Sequence, residues 1–200
     1  MERTAIFLDI ANLEQAFRHY DAKIDYIGLR EYLTAGRFLV DAFAYVPINP
    51  YDVDRKRYLI DFLGRNGFLV RSKVGKPRPD NKWKCNFDVE MAVDMLRYSH
   101  QARVDIVVMG SGDGDMLPVC EEIRFNGIRC EVAATRQTVA DDLVAAVNGF
   151  IDLGEIIREA VPTENEDSGH AQSPVRPNLE GLVQPLQIEN GIPLPPDIHG

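Results

Sequence analysis

Two short apolar runs that end in aspartate constrain this chain more than any other feature. The first, Thr4-Ala5-Ile6-Phe7-Leu8, stops at Asp9; the second, Val104 to Met109, turns through Gly110-Ser111-Gly112 into Asp113 and Asp115. Runs of this kind read as strands buried on both faces, which places them in a parallel sheet covered by helices. Carboxylates gathered at the end of such a sheet repel one another and lose hydration, so a hard cation is their natural counter-charge. Asp88 starts a predicted helix and joins them. The candidate catalytic and metal-holding groups are therefore Asp9, Asp88, Asp113 and Asp115, read as one Mg²⁺-type site.

The rest of the chain alternates between the two periodicities. Asn12 to Tyr20 and Gly28 to Thr34 read as helices and Phe38 to Val46 as a strand. Asn49-Pro50 carries helix-start chemistry for a third helix with Tyr58, Leu59, Phe62 and Leu63 on its apolar face, and Asn66-Gly67 stops it. A strand begins at Phe68, a polar loop runs from Val74 to Asn86, and the helix from Asp88 shows Val89, Ala92, Val93 and Leu96 at helical spacing. Helix Leu117 to Phe125, strand Ile128 to Ala133 and helix Val139 to Val147 follow, and Phe150 to Leu153 leads into a last helical turn. Strands and helices in alternation imply right-handed crossovers and a mainly parallel sheet with helices on both faces.

From Pro162 the composition changes: seven of the twelve prolines lie there and no apolar period survives. The expected organisation is a folded unit over 1–161 and a disordered Pro-rich acidic tail over 162–200, with Leu182 to Leu194 its candidate docking stretch. The tail also explains the formal charge of −9, which alone would argue against a nucleic-acid partner. It holds six acids against one base, leaving net −4 on the folded unit, the contribution of the four aspartates. No apolar stretch reaches membrane-spanning length and no secretory pattern opens the chain, so a cytoplasmic location without a membrane is expected. Cys85, Cys120 and Cys130 fit neither a disulfide framework nor a zinc motif and read as reduced thiols.

Competing chemistries fail on particular residues. Gly110 to Asp115 is glycine-rich but lacks the Gly-Lys-Ser/Thr ending of a phosphate loop, and Met116-Leu117-Pro118 breaks the ligand alternation of an EF-hand. None of the four histidines lies in the motif segments, which leaves a Ser-His or Cys-His nucleophile without a base. A receiver-like or dehalogenase-like phosphoryl-transfer site would need a lysine after the last strand, or an acid two residues after Asp9, and has neither. Hydrolysis by metal-activated water remains. The substrate clue is the segment before Asp88, where Arg71, Lys73, Lys76, Arg78, Lys82 and Lys84 face one acid, Asp80, and surround Trp83. Cations plus one aromatic ring suit a phosphodiester backbone and a stacked base.

Phe7-Leu8-Asp9-Ile10-Ala11-Asn12, the helix start Phe87 to Met95, the turn Ser111 to Asp115 and the closing Asp141-Asp142-Leu143 to Leu153 resemble, in this order, the NYN domain. The likeness is to its LabA-like (DUF88) branch within the PIN-like ribonuclease superfamily and covers residues 4 to about 157. It departs at Lys84-Cys85-Asn86-Phe87, where many relatives carry Lys-Gly-Val, and at Met116, where a phenylalanine is common. The resemblance implies a three-layer α/β/α fold, a five-stranded parallel sheet of order 3-2-1-4-5, and Mg²⁺- or Mn²⁺-dependent RNA cleavage. It maps Asp9, Asp88, Asp113 and Asp115 to the metal site with Asn12, Asp94 and Ser111 around it; from its position on the helix, Asp94 also reads as a core-edge acid paired with a base. A noncatalytic RNA-binding or regulatory module, acting through partner proteins by way of the tail, is the alternative, and a homodimer is left open.

Overall fold

The computed structural model describes residues 1–79, 82–101 and 104–160, and the backbone of three short strands at Val183–Pro185, Ile188–Glu189 and Ile192–Pro193. β1 (Arg3–Asp9) carries the first apolar run and passes directly into α1 (Ile10–Arg18). A short β2 (Ala22–Ile24) and α2 (Tyr26–Thr34) lead to the long β3 (Phe38–Ile48). Next come α3 (Arg57–Arg65), β4 (Phe68–Val74), a small hairpin of β5 (Lys76–Pro77) and β6 (Trp83–Lys84), and α4 (Asp88–His100). The second half runs β7 (Ile106–Gly110), α5 (Leu117–Phe125), β8 (Arg129–Ala134), α6 (Asp141–Ala146), β9 (Gly149–Asp152) and α7 (Leu153–Ala160).

Six strands form one parallel sheet in the order β4-β3-β1-β7-β8-β9. The five expected strands keep their 3-2-1-4-5 order, and β9 adds a sixth beyond β8, where the sequence suggested a helical turn. Residues 149–152 are all half-buried, a pattern that carries neither period. On one face Ile6, Leu8, Ala44 and Val46 pack with α1, α2, α3 and α7; on the other Phe7, Phe43, Tyr45, Met109 and Val132 pack with α4, α5 and α6. Both faces of β1 are thereby covered, which is why its sequence is apolar without alternation.

Several helices differ from their sequence reading; α1 runs Ile10–Arg18 instead of Asn12–Tyr20, and α6 spans Asp141–Ala146 instead of Val139–Val147. Asn49 does not open α3: its side chain accepts from the Tyr51 backbone N–H at 2.9 Å, closing a turn, and the α-helix starts at Arg57 after a 3₁₀ turn over Asp54–Lys56. α3 lies over the sheet edge and buries only a narrow stripe around Leu63, leaving Tyr58 80% exposed. α4 buries Met91, Asp94, Met95 and Ser99, so Val89 and Val93 face outward, and Asp94 faces inward. α2 starts earlier than expected because Asp25 caps it, accepting from Ile27 and Gly28 N–H. The three cysteines are free thiols, as expected. No helix among the described residues is long and apolar enough to cross a membrane. Most of the tail, and with it the expected disorder of 162–182, lies outside the described residues, while Val183–Pro185 pairs antiparallel with β2.

Candidate metal centre and nucleic-acid interface

The chain leaves β1 toward β3 and β4 on one side and returns through β7 on the other, so the sheet order reverses between β1 and β7. Loops diverge at the carboxyl ends of such strands and leave a crevice. Asp9 ends β1 at one lip; Asp113 and Asp115 follow β7 at the other. α4 brings Asp88 in at its first residue, after Phe87. One carboxylate oxygen each from Asp88, Asp113 and Asp115 lies within 4.8 Å of the others. Asp9 stands outside that triad but within electrostatic reach of Asp88 and Asp113.

Local chemistry holds each acid in place. Asp9 Oδ1 accepts from the backbone N–H of Ala11 (3.0 Å) and Asn12 (3.2 Å), capping α1. Asp113 Oδ1 accepts from the Asp115 N–H at 3.0 Å and caps the 3₁₀ turn Gly114–Met116. Ser111, buried, accepts from the Asp113 N–H at 3.3 Å. Asn12 turns its Oδ1 to the Gly112 N–H (3.1 Å), while the Gly112 carbonyl accepts from the Ala140 N–H (3.1 Å). The acidic turn is thus clamped between α1 and the loop before α6. The Thr138-to-Ala140 arm of that clamp left no trace in the sequence, because only tertiary packing creates it.

Burial is the main force pushing the Asp9 carboxyl above its ordinary range; the Asn12 and Ala11 amides oppose it, and Asp88 and Asp113 add to it. Asp88 is raised too, first by burial, then by the charges of Asp113 and Asp115, against the pull of Lys84. A group raised in the folded state favours folding only when protonated. That contribution is complete below its unfolded value of 3.8 and is lost as pH rises through the folded value. Without a divalent cation, Asp88→Asn is therefore expected to melt above the wild type at about pH 7, with the gap closing as pH falls toward about 4. Melting curves across that range check it; a gap independent of pH would remove the crowding argument. At Asp9 the fold and the charge separate cleanly. Asp9→Asn keeps the cap and should leave stability intact, whereas Asp9→Ala should lose ~1 kcal/mol, measured by urea denaturation.

The basic segment is built as well as charged. Lys76 and Pro77 pair antiparallel with Lys84 and Trp83, and the Trp83 ring lies so close over Gly75 that a Cβ there would sit 2.4 Å from its Cε3. The hairpin and the end of β4 line a groove with Lys73, Val74, Lys76, Pro77, Arg78, Lys84, Cys85 and Asn86. Its floor reaches the acids: Asn86 Nδ2 donates to Asp88 Oδ2 at 2.7 Å. Burial pushes the Cys85 thiol up, with Glu90 and Asp9 adding and Lys73 opposing, so it is held in the unreactive protonated form. Lys82 is exposed beside Trp83. Lys73 pairs with Glu90 over the Phe87 ring. Arg71 turns the other way, to Asp94, which is buried and also holds Arg97 and the Tyr45 hydroxyl. Asp94 is thus occupied by bases, the core-edge arrangement. Arg97, three residues on, was missed, although its spacing from Asp94 suits an ion pair on one helix face.

The family model of the NYN domain matches residues 3–154. The chain is 32% identical over 124 residues to the low amplitude and bright protein LabA of Synechococcus elongatus, an alignment covering 59% of this chain and 64% of LabA's length. It also superimposes on the crystal structure of a protein of unknown function from Vibrio parahaemolyticus with a TM-score of 0.63 and 25% identity, over 76% of this chain and 93% of that one. NYN domains are PIN-like modules, typically metal-dependent nucleases, and the acidic cluster such chemistry requires is present here. The protein belongs to the NYN domain family.

Proposed function

We propose that this protein is a metal-dependent endoribonuclease, carried by a folded unit over residues 1–161. The observation that bears the reading is the meeting of Asp88, Asp113 and Asp115, oxygens within 4.8 Å, beside Asp9 and at the mouth of a basic groove. Donors that are all carboxylate oxygens suit a hard ion, Mg²⁺ or Mn²⁺, over zinc or copper. When bound, such an ion supplies an activated water and neutralises charge on the phosphate. The chain's own residues do the remainder. Asp88, Asp113 and Asp115, with Asp9 beside them, would hold the ion; Asn12 and Ser111 fix the turn that presents Asp113. Lys76, Arg78 and Lys84 of the groove take phosphates on either side of the scissile bond, and Lys82 and Trp83 flank a base.

Incubating the purified protein with single-stranded and structured RNAs in Mg²⁺, Mn²⁺ or EDTA tests this. Internal cleavage in either metal, and none in EDTA, is the expected outcome. RNA bound without turnover under every metal condition would replace the catalyst with a noncatalytic binding module; the tail is then the segment to test for a protein partner.

A further inference from the structure

Asp9, Tyr45 and Arg71 occupy one register row across β1, β3 and β4. In parallel strands such partners rise from the same face, so Arg71 stands two strand spacings, roughly 10 Å, from the end of β1 on the acidic side. α4 covers β1 and β3 there but leaves β4 open: Arg71 is 50% exposed and Leu69 45%. Across this shelf, α4 presents Arg97, 53% exposed. One buried carboxylate serves both. Asp94 Oδ2 accepts from Arg71 Nε (3.2 Å) and Tyr45 O–H (3.1 Å), and Asp94 Oδ1 from Arg97 Nη1 (3.1 Å). Arg71 also lies over the Phe43 ring, 5.6 Å from its centroid.

Two guanidinium groups thus share the Asp94 carboxylate while both heads stay half-exposed. Among the described residues, acids engage Nε of Arg71 and Nη1 of Arg97, which leaves the other N–H groups of both forks for a ligand. Neighbouring Lys73, by contrast, is neutralised locally by Glu90. Each arginine takes one oxygen of the same carboxylate, so Asp94 engages neither fork fully. Planar forks held side by side suit the oxygens of a phosphodiester.

We propose that Arg71 and Arg97, oriented by Asp94, form a second phosphate subsite that holds the RNA strand away from the cleavage centre, along the β4 shelf. This rests on the RNA reading above and assigns the strand its path: out of the acidic crevice, past Lys73, onto the open face of β4. Along α4 the rise from Asp88 to Asp94 is ~9 Å, enough to place this subsite on a different phosphate of the strand from the one at the acids.

Binding of a labelled single-stranded RNA of about a dozen nucleotides to the full chain, in EDTA to prevent turnover, tests it by anisotropy across a salt series. Arg97→Gln is expected to weaken binding about three- to tenfold and to lower the salt slope by roughly 0.7, the contribution of one phosphate on a single strand. Arg97→Lys should restore the slope but only part of the affinity, since a point charge replaces a fork. Melting temperature is read for each variant, and affinities are compared at a temperature where all are folded. Wild-type affinity and slope in Arg97→Gln, alongside losses in Lys84→Gln, would overturn the subsite and leave the RNA reading standing. No salt-dependent RNA binding by the wild type would overturn both.

Discussion

Asp113→Asn is expected to reduce metal-dependent RNA cleavage by at least ~10³-fold, because an ion held by carboxylates contributes several kcal/mol at the transition state. The fold should not suffer. The Asp113 side chain accepts the Asp115 N–H through Oδ1, and asparagine can make the same bond. Removing one of three negative charges whose oxygens crowd within 4.8 Å also relieves repulsion in the ion-free protein. Single-turnover cleavage read beside a melting curve separates the two effects: activity lost with melting unchanged or raised supports the site. Wild-type cleavage by Asp113→Asn would sink the nuclease proposal. Added Mg²⁺ or Mn²⁺ should raise the melting temperature of the wild type and not of the variant, by mass action on a site present only in the folded state.

Gly112→Ala should be the most damaging small substitution near the site. A Cβ there would lie 2.5 Å from the Thr138 carbonyl oxygen and 2.8 Å from the Val139 Cα, both main-chain atoms that cannot rotate away. Forcing them apart costs ~1–3 kcal/mol, as for other overpacked positions, and a shift of about 1 Å at the acidic turn costs on the order of 10²-fold in rate. Gly64→Ala is the control, since its Cβ meets nothing within 4 Å inside α3; stability there should hold or rise by up to ~1 kcal/mol. Equal behaviour of the two variants in thermal melting and cleavage would mean that the turn is not clamped as described.

Five of the six sheet strands, the start of α4, the bounds of α5 and the aspartates that end β1 and start α4 were legible because each rests on a strong local signal, whereas the order of the strands came from the family resemblance. β1 and β7 are apolar on both faces, and the acids terminate them. What escaped depends on distant partners. β9 is half-buried throughout and is a strand only because β8 offers it an edge. The hairpin at 76–84 looked like a polar loop, and its pairing is fixed by Trp83 on Gly75, a contact that residue preferences do not encode. The face of α4 was misjudged because Val89 and Val93 outside and Met91 and Met95 inside satisfy the same period two residues apart, and only the position of β3 decides between them. That error hid which bases pair with Asp94, Arg71 and Arg97. The basic segment was read as one patch, whereas Arg71 points to α4 and the lysines to the hairpin groove.

Asp9 and Asp113 each do two jobs: besides their charge, they hold backbone amides at the start of α1 and at the turn before α5. Among the described residues Asp115 accepts no hydrogen bond that shapes a helix end or turn, and Asp88 takes only its own backbone N–H and the Asn86 amide. A chain of this fold without turnover could therefore still retain the first pair for architecture alone. Their persistence is a poor diagnostic of an active enzyme; drift at positions 88 and 115 is where retirement from chemistry would first be recorded.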